Sequence, residues 1–140
     1  MSALDRDLLA ERLLAVERHL RRVAERLPED ASDLRPSSDA SDAVVLHLWQ
    51  ATQIAIDVAT AACVKWSIGT PATYADAFTR LADAGVVDPE LAQRLKSAAG
   101  FRNLVAHAYE RLDMARVHAA ATNGPADLRA LIAAIRDRLE

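Results

Sequence analysis

The chain has few of the residues that build sheets, disulfide scaffolds or membrane spans. Aromatic side chains make up 4% of its 140 residues, and there are only four glycines and one cysteine. A single cysteine excludes an internal disulfide, and an unpaired thiol is typical of a reducing compartment. No apolar run reaches the roughly 18 residues that a membrane-spanning helix needs, and the charged stretch MSALDRDLLAERLL differs from a signal peptide. We therefore expect a cytoplasmic protein.

The residues that are abundant favour α-helix. Hydrophobic side chains make up 51% of the chain. Many of them are alanine, the strongest helix former, and they recur at intervals of three and four rather than in alternation. A chain of this length buries about two-thirds of its unfolded surface and needs no metal or disulfide for stability. The sequence predicts one all-α domain over residues 1–140, a bundle of five or six helices.

Prolines, glycines and capping residues set the predicted helix ends. Helices are expected over residues 3–27, 41–67, the early seventies to 85, 88 to about 112, and the C-terminal stretch ADLRALIAAIRDRL. Ser41 or Asp42 is the expected N-cap of the second helix, and Asp88-Pro89-Glu90 begins the fourth. Asn123-Gly124-Pro125 is expected to be a turn. The second helix is apolar nearly all round, which predicts a central position partly covered by a second chain.

Charge is unevenly distributed along an acidic chain. The formal net charge is −3, which does not by itself favour a nucleic-acid partner. Residues 29–42 are acidic, whereas residues 94–118 carry five basic side chains against two acidic ones. A locally positive segment of this kind can hold a phosphate.

Polar residues interrupt the apolar stretch AGFRNLVAHAYERLD at Arg102, Asn103, His107 and Tyr109. On one helix, Arg102 and Tyr109 lie on nearly the same face, because they are seven residues apart. Arg102 and His107 are five apart, which places them about 140° around the axis and roughly 7.5 Å along it. The two can therefore meet one phosphate only if the helix bends or a second copy is brought in by a two-fold axis.

These residue types suit RNA cleavage. A histidine can exchange protons near neutral pH, and an arginine can hold a phosphate and stabilise charge on phosphorus. The RNA 2′-OH supplies the nucleophile, so no metal is needed, and the four histidines show no HExxH or Cys–His metal pattern. Ordinary structural roles remain open at this point: an ion pair for Arg102, a hydrogen bond for His107, and packing for Tyr109.

The segment from Arg102 to Tyr109 matches R-N-x3-H-x-Y, which resembles the signature of HEPN domains, and its tyrosine is typical of the HepT branch. The stretches QIAIDVA, PATYADAFTRLADAGVVD and LAQRLKSAAGFRNLVAHAY are also similar to HepT sequences, in the same order. The resemblance covers about residues 1–115. It implies an all-α HEPN bundle that forms a homodimer, with the paired motifs in a cleft at the interface.

The resemblance also implies a function. It points to the toxin of a type VII toxin–antitoxin system, a metal-independent endoribonuclease with no cofactor. Arg102 and His107 would be catalytic, Asn103 would position them, and Tyr109 would receive AMP from ATP through an MntA-like nucleotidyltransferase antitoxin. The implied partners are a second copy, this antitoxin and an RNA (tRNA or mRNA), with neither DNA nor a membrane. The alternative is a HEPN module that binds a nucleotide or the antitoxin without cutting RNA.

Asp57 interrupts the apolar second helix between Ile56 and Val58. A buried carboxylate needs a partner. We therefore hypothesise that Asp57 orients or neutralises part of the active-site cluster. A surface-facing Asp57 on the less buried side of the helix is the alternative.

The remaining histidines and the tryptophans have simpler interpretations. His19 lies among arginines and is expected to be solvated, whereas His47 is expected to be a satisfied core histidine. His118 follows the motif and could reach the groove. Trp49 and Trp66 are expected to be core or dimer contacts rather than platforms for RNA bases.

Overall fold

The computed structural model describes residues 4–139, and all of its regular elements are helical. The five α-helices are α1 (Arg6–Arg26), α2 (Asp39–Lys65), α3 (Tyr74–Asp83), α4 (Pro89–Ala108) and α5 (Met114–Leu139). Two short 3₁₀ turns, Ala31–Asp33 and Tyr109–Arg111, lie between them. No strand occurs in residues 4–139, so the all-α prediction is confirmed.

Helix α2 is the centre of the bundle, as its apolar sequence predicts. It contacts each of the other four α-helices. Its buried side chains are mostly small, including Ala51, Ala55 and Ala59, and small side chains let the neighbouring helices approach closely. The C-terminal helix α5 also packs within the chain's own core, where Leu131 and Ile135 are fully buried. A second, smaller apolar cluster around Val45, Val105 and Val117 supports the end of the bundle where α4 stops.

Local capping explains most helix starts. Asp88 accepts a hydrogen bond from the Leu91 N–H, and Pro89 follows it, so the predicted start of α4 is confirmed. The predicted cap of α2 at Ser41 or Asp42 is wrong. Ser38 is the N-cap, and Ser41 forms the reciprocal half of a capping box with it. Helix α2 therefore begins earlier than apolar spacing alone indicates.

Two predicted boundaries near the motif are also wrong. Helix α4 ends at Ala108 rather than near residue 112, because Ala108 has non-helical backbone angles of φ −144° and ψ 38° and a 3₁₀ turn follows. The expected turn at Asn123-Gly124-Pro125 is instead part of α5. Buried residues before and after it, Ala121 and Leu128, keep one continuous helix in place despite the proline. Packing thus outweighs the one hydrogen bond that Pro125 cannot donate.

Cys63 lies in the core, as predicted. It is fully buried in α2, its Sγ is 3.7 Å from the Ala77 carbonyl oxygen, and burial raises the pKa of its thiol. None of the five helices in residues 4–139 combines the length and the apolar character that crossing a membrane requires.

Candidate active site

Arg102 lies half-buried on α4 beside the central helix α2. Its Nε donates a hydrogen bond to Gln53 Oε1 at 2.7 Å, and its Nη1 donates to Asn103 Oδ1 at 3.3 Å. No carboxylate within residues 4–139 forms an ion pair with it. The guanidinium is therefore held by neutral groups and keeps its full charge for a ligand. The salt-bridged role that the sequence left open for Arg102 is wrong.

Two aromatic rings fix the guanidinium further. The Arg102 Cζ lies 5.2 Å from the ring centroid of Trp49 on α2 and 5.2 Å from that of Tyr74 on α3. These distances are within the range of attractive cation–π contacts. Trp49 is half-buried against the smaller core cluster, which agrees with the predicted core role, but it also contacts the site. Trp66 is distant in function, since its ring contacts Arg138.

Asp57 is linked to Arg102 through Gln53. The Gln53 Nε2 donates to Asp57 Oδ1 at 2.9 Å, four residues along α2. The predicted burial of Asp57 is wrong, because this face of α2 is open and the side chain is exposed. The carboxylate nevertheless lies one residue away from the arginine. Sequence reasoning missed Gln53 and Tyr74 as site residues, and the only available signal for Gln53 was a polar residue one turn before Asp57 on an otherwise apolar helix.

His107 is exposed in the last turn of α4 and makes no hydrogen bond with the rest of residues 4–139. Because α4 is α-helical through Ala108, His107 points about 140° away from Arg102, as five residues of helix dictate. Asn103 is exposed as well. One copy of the chain therefore brings Arg102 and Asn103 together but leaves His107 on another face.

Tyr109 follows the end of α4 and is 44% exposed. Its hydroxyl donates a hydrogen bond to the carboxylate of Asp42 in the first turn of α2. This bond, with smaller contributions from burial and from the Asp42 charge, raises the pKa of Tyr109 to about 12. The prediction that Tyr109 stands above Arg102 on one helix is wrong. Arg102 binds Gln53, eleven residues after Asp42, which is about 16 Å along α2.

A groove of about 350 Å³ connects these two positions. It runs between α2 and the end of α4, and its lining is Asp42, Val45, Leu46, Trp49, Val105 and Tyr109. Tyr109 lies at one end, and Trp49, the neighbour of Arg102, lies at the other. A separate apolar cavity of about 230 Å³ between α2, α4 and α5 contains none of the predicted site residues.

The other histidines have structural contacts. His118 Nε2 is 2.8 Å from the Pro28 carbonyl oxygen, so it joins α5 to the end of α1 rather than entering the groove. His19 is half-buried rather than solvated, and its Nδ1 is 3.0 Å from Nδ1 of His47, which is also only half-buried. Burial, and then the neighbouring His47, lowers the pKa of His19. Residues 4–139 contain no group of three His, Cys, Asp or Glu side chains that could bind a metal.

Comparison with known proteins agrees with this architecture. A family model described as ribonuclease HepT-like matches residues 16–135. The mRNA nuclease HepT of Shewanella oneidensis is 26% identical over 108 residues, which cover 77% of this chain and 80% of that protein.

Solved structures show the same fold at low identity. The tri-AMPylated HEPN toxin of S. oneidensis in complex with its MNT antitoxin gives a TM-score of 0.83 at 24% identity, covering 94% of this chain and 98% of that one. A cytosolic protein of unknown function from Bacillus subtilis gives a TM-score of 0.81 at 20% identity, covering 100% and 94%.

Proposed function

The chain belongs to the HepT-like ribonuclease family, and from this premise we propose that it is a toxin that cuts RNA without a metal ion. The observation that supports this most strongly is the Arg102 guanidinium, which is fixed by an amide and two aromatic rings and carries no counter-charge. An arginine held in this way is suited to bind a phosphodiester and the charge that develops on it. We expect the protein to act in the cytoplasm.

The proposed reaction is an internal phosphoryl transfer. The RNA 2′-oxygen attacks the adjacent phosphorus, a 2′,3′-cyclic phosphate forms, and the bond to the 5′-oxygen breaks. Arg102 binds the non-bridging oxygens. His107 accepts the 2′-OH proton or protonates the leaving 5′-oxygen, the roles that an imidazole fills near neutral pH. Asn103, which accepts a hydrogen bond from Arg102, helps to set the guanidinium.

A two-fold dimer supplies the geometry that one chain lacks. Arg102 and His107 point apart on α4, so Arg102 of one copy and His107 of the other would form each site. The exposed apolar side chains Leu46 and Val64 on α2 favour a contact between copies, since they are 51% and 60% exposed. Leu46 also lines the groove that contains Tyr109.

Tyr109 is the proposed point of inactivation by the antitoxin. A nucleotidyltransferase partner would transfer AMP from ATP to the Tyr109 oxygen and release pyrophosphate. The modified side chain would add a negative phosphodiester and an adenosine to the groove beside Trp49 and Arg102. Negative charge and bulk at this position would oppose RNA binding.

RNA cleavage by the purified, unmodified protein tests the ribonuclease role. In the presence of a chelator we expect cutting that leaves 2′,3′-cyclic phosphate ends and stops at a 2′-deoxy position. Arg102→Ala and His107→Ala should each lower the rate by roughly 10²–10⁴, whereas Arg116→Ala, in the same basic segment, should not. Because the Shewanella relative is named an mRNA nuclease, mRNA is the first substrate to compare with tRNA. RNA binding without cutting would instead identify a non-catalytic HEPN module.

Mass spectrometry after co-expression with a nucleotidyltransferase antitoxin tests the modification. Wild type and Tyr74→Phe should gain AMP-sized increments, and Tyr109→Phe should gain none. AMP on the Tyr109→Phe protein would contradict the assignment of the site.

A further inference from the structure

We propose that Gln53 is a positioning residue of the active site, a role that rests on the proposed ribonuclease function. Gln53 holds Arg102 by its Nε edge and leaves the Nη edge for the RNA phosphate. The contact joins α2 to α4 across 49 residues of sequence.

The side-chain amide of Gln53 can adopt only one orientation between its two partners. Its oxygen faces the Arg102 Nε–H at 2.7 Å, and its nitrogen faces the Asp57 carboxylate at 2.9 Å. The reversed amide would place two donors against each other and two oxygens against each other. Asp57 therefore keeps the Gln53 oxygen turned toward Arg102.

The contacts of Arg102 leave its phosphate-binding edge free. A guanidinium has five N–H donors. Gln53 takes the Nε donor and Asn103 takes one donor of Nη1, and Nη2 makes no hydrogen bond within residues 4–139. The remaining donors form the fork that binds two phosphate oxygens side by side. The rings of Trp49 and Tyr74 limit rotation of the guanidinium plane.

A neutral amide at position 53 holds Arg102 without cancelling its charge. A carboxylate in direct contact would form an ion pair and compete with the phosphate. Asp57, the carboxylate linked to Arg102 through Gln53, is kept at one remove. The arrangement thus separates orientation, which Gln53 supplies, from charge, which Arg102 keeps.

The first test replaces Gln53 by a side chain of similar length that cannot hydrogen-bond. Gln53→Met should lower kcat/KM for RNA cleavage roughly ten- to hundredfold, because misplacement of a binding group by about 1 Å costs this much. The NMR signal of the Arg102 Nε–H should exchange faster with water in this variant. Gln50→Met, on the same helix, should change neither quantity.

A swap variant separates positioning from a merely structural role. Gln53→Glu alone places two carboxylates together and should be impaired. Combined with Asp57→Asn it restores the net charge, an acceptor for Arg102 Nε and a donor between positions 53 and 57. The double variant should therefore cut RNA faster than Gln53→Glu and Gln53→Met, with most of the recovery in kcat rather than KM.

The outcomes distinguish this role from the function on which it rests. Wild type that cuts no RNA overturns both. Wild type that cuts, with Gln53→Met equally active, overturns only the role of Gln53, as does a double variant no better than Gln53→Glu. If Gln53→Met fails to fold, the swap variant decides.

Discussion

At the scale of single residues, one hydrogen bond determines the state in which Tyr109 meets its partners. The Asp42 carboxylate accepts the Tyr109 proton in a hydrogen bond, which favours the protonated phenol. A phosphodiester on Tyr109 could not donate this bond, and its negative charge would face Asp42. Modification would therefore release the turn after α4 from the first turn of α2.

The tyrosine titration tests this contact. Tyr109 should ionise near pH 12, and Asp42→Asn should return its pKa toward the ordinary value of about 10. The folded-state pKa is raised, so the stability that the contact contributes is complete below about pH 10 and is lost as pH rises toward 12. Ultraviolet titration of wild type against Tyr109→Phe isolates the signal, since Tyr74 is the only other tyrosine. A Tyr109 that ionises near pH 10 in wild type would contradict the contact.

The sequence identifies residues within one helix better than residues that meet across helices. Spacing along α4 predicts that Arg102 and His107 diverge, and the helical backbone through Ala108 confirms this. The partners of Arg102 and Tyr109 lie 49 and 67 residues away in sequence. No periodicity within α4 contains that information, so Gln53 and Asp42 emerge only from the packed structure. The catalytic roles and the modification of Tyr109 stay predictions.

At the scale of helices, local signals succeed where capping decides and fail where packing decides. Asp88 and Pro89 begin α4 as predicted, because the cap bonds only its own first turn. Pro125 is a strong breaker in isolation, yet α5 continues through it because residues on both sides are buried. The end of α4 at Ala108 likewise carries no glycine or proline as a signal.

Two helical glycines offer a stability test at this scale. Gly100 in α4 and Gly124 in α5 have nothing within 4 Å of an added Cβ, so alanine fits at both. Each substitution should raise the free energy of unfolding by about 0.5–1 kcal/mol, because alanine loses less backbone entropy in a helix. Gly85→Ala should lower it, since Gly85 has φ +77°. Urea denaturation measures all three, and a destabilised Gly100→Ala would show that α4 bends at this position.

At the scale of the whole molecule, the divergence of Arg102 and His107 makes the proposed activity a property of two chains. The single-domain prediction for residues 1–140 and the two-fold dimer both stay predictions. If each site combines Arg102 of one copy with His107 of the other, neither copy can act alone. Activity should then fall at concentrations where the dimer dissociates.

Complementation tests the shared site directly. Arg102→Ala and His107→Ala proteins should each be inactive. An equal mixture should recover roughly a quarter of wild-type activity, because half of randomly paired dimers are mixed and each mixed dimer holds one intact site. A mixture as inactive as its components, despite exchange of subunits, would place the whole site within one chain.

The contact between copies can be weakened at the same scale. Leu46→Lys and Val64→Lys should shift sedimentation toward the monomer and reduce cutting. Leu14→Lys, at a 62% exposed position on α1, should alter neither. A dimer that persists in both α2 variants would place the interface on another surface.

Burial of Cys63 gives the protein a built-in clock. It is the only cysteine in the chain, and it lies between α2 and α3 with no exposed surface. A thiol reagent can label the native chain only while these helices separate, so the labelling rate reports how often the central helix opens. Dimer formation, RNA and the antitoxin each touch or flank α2 in the proposed mechanism. Each should slow the clock by an amount that measures how firmly it closes the bundle, without any engineered probe.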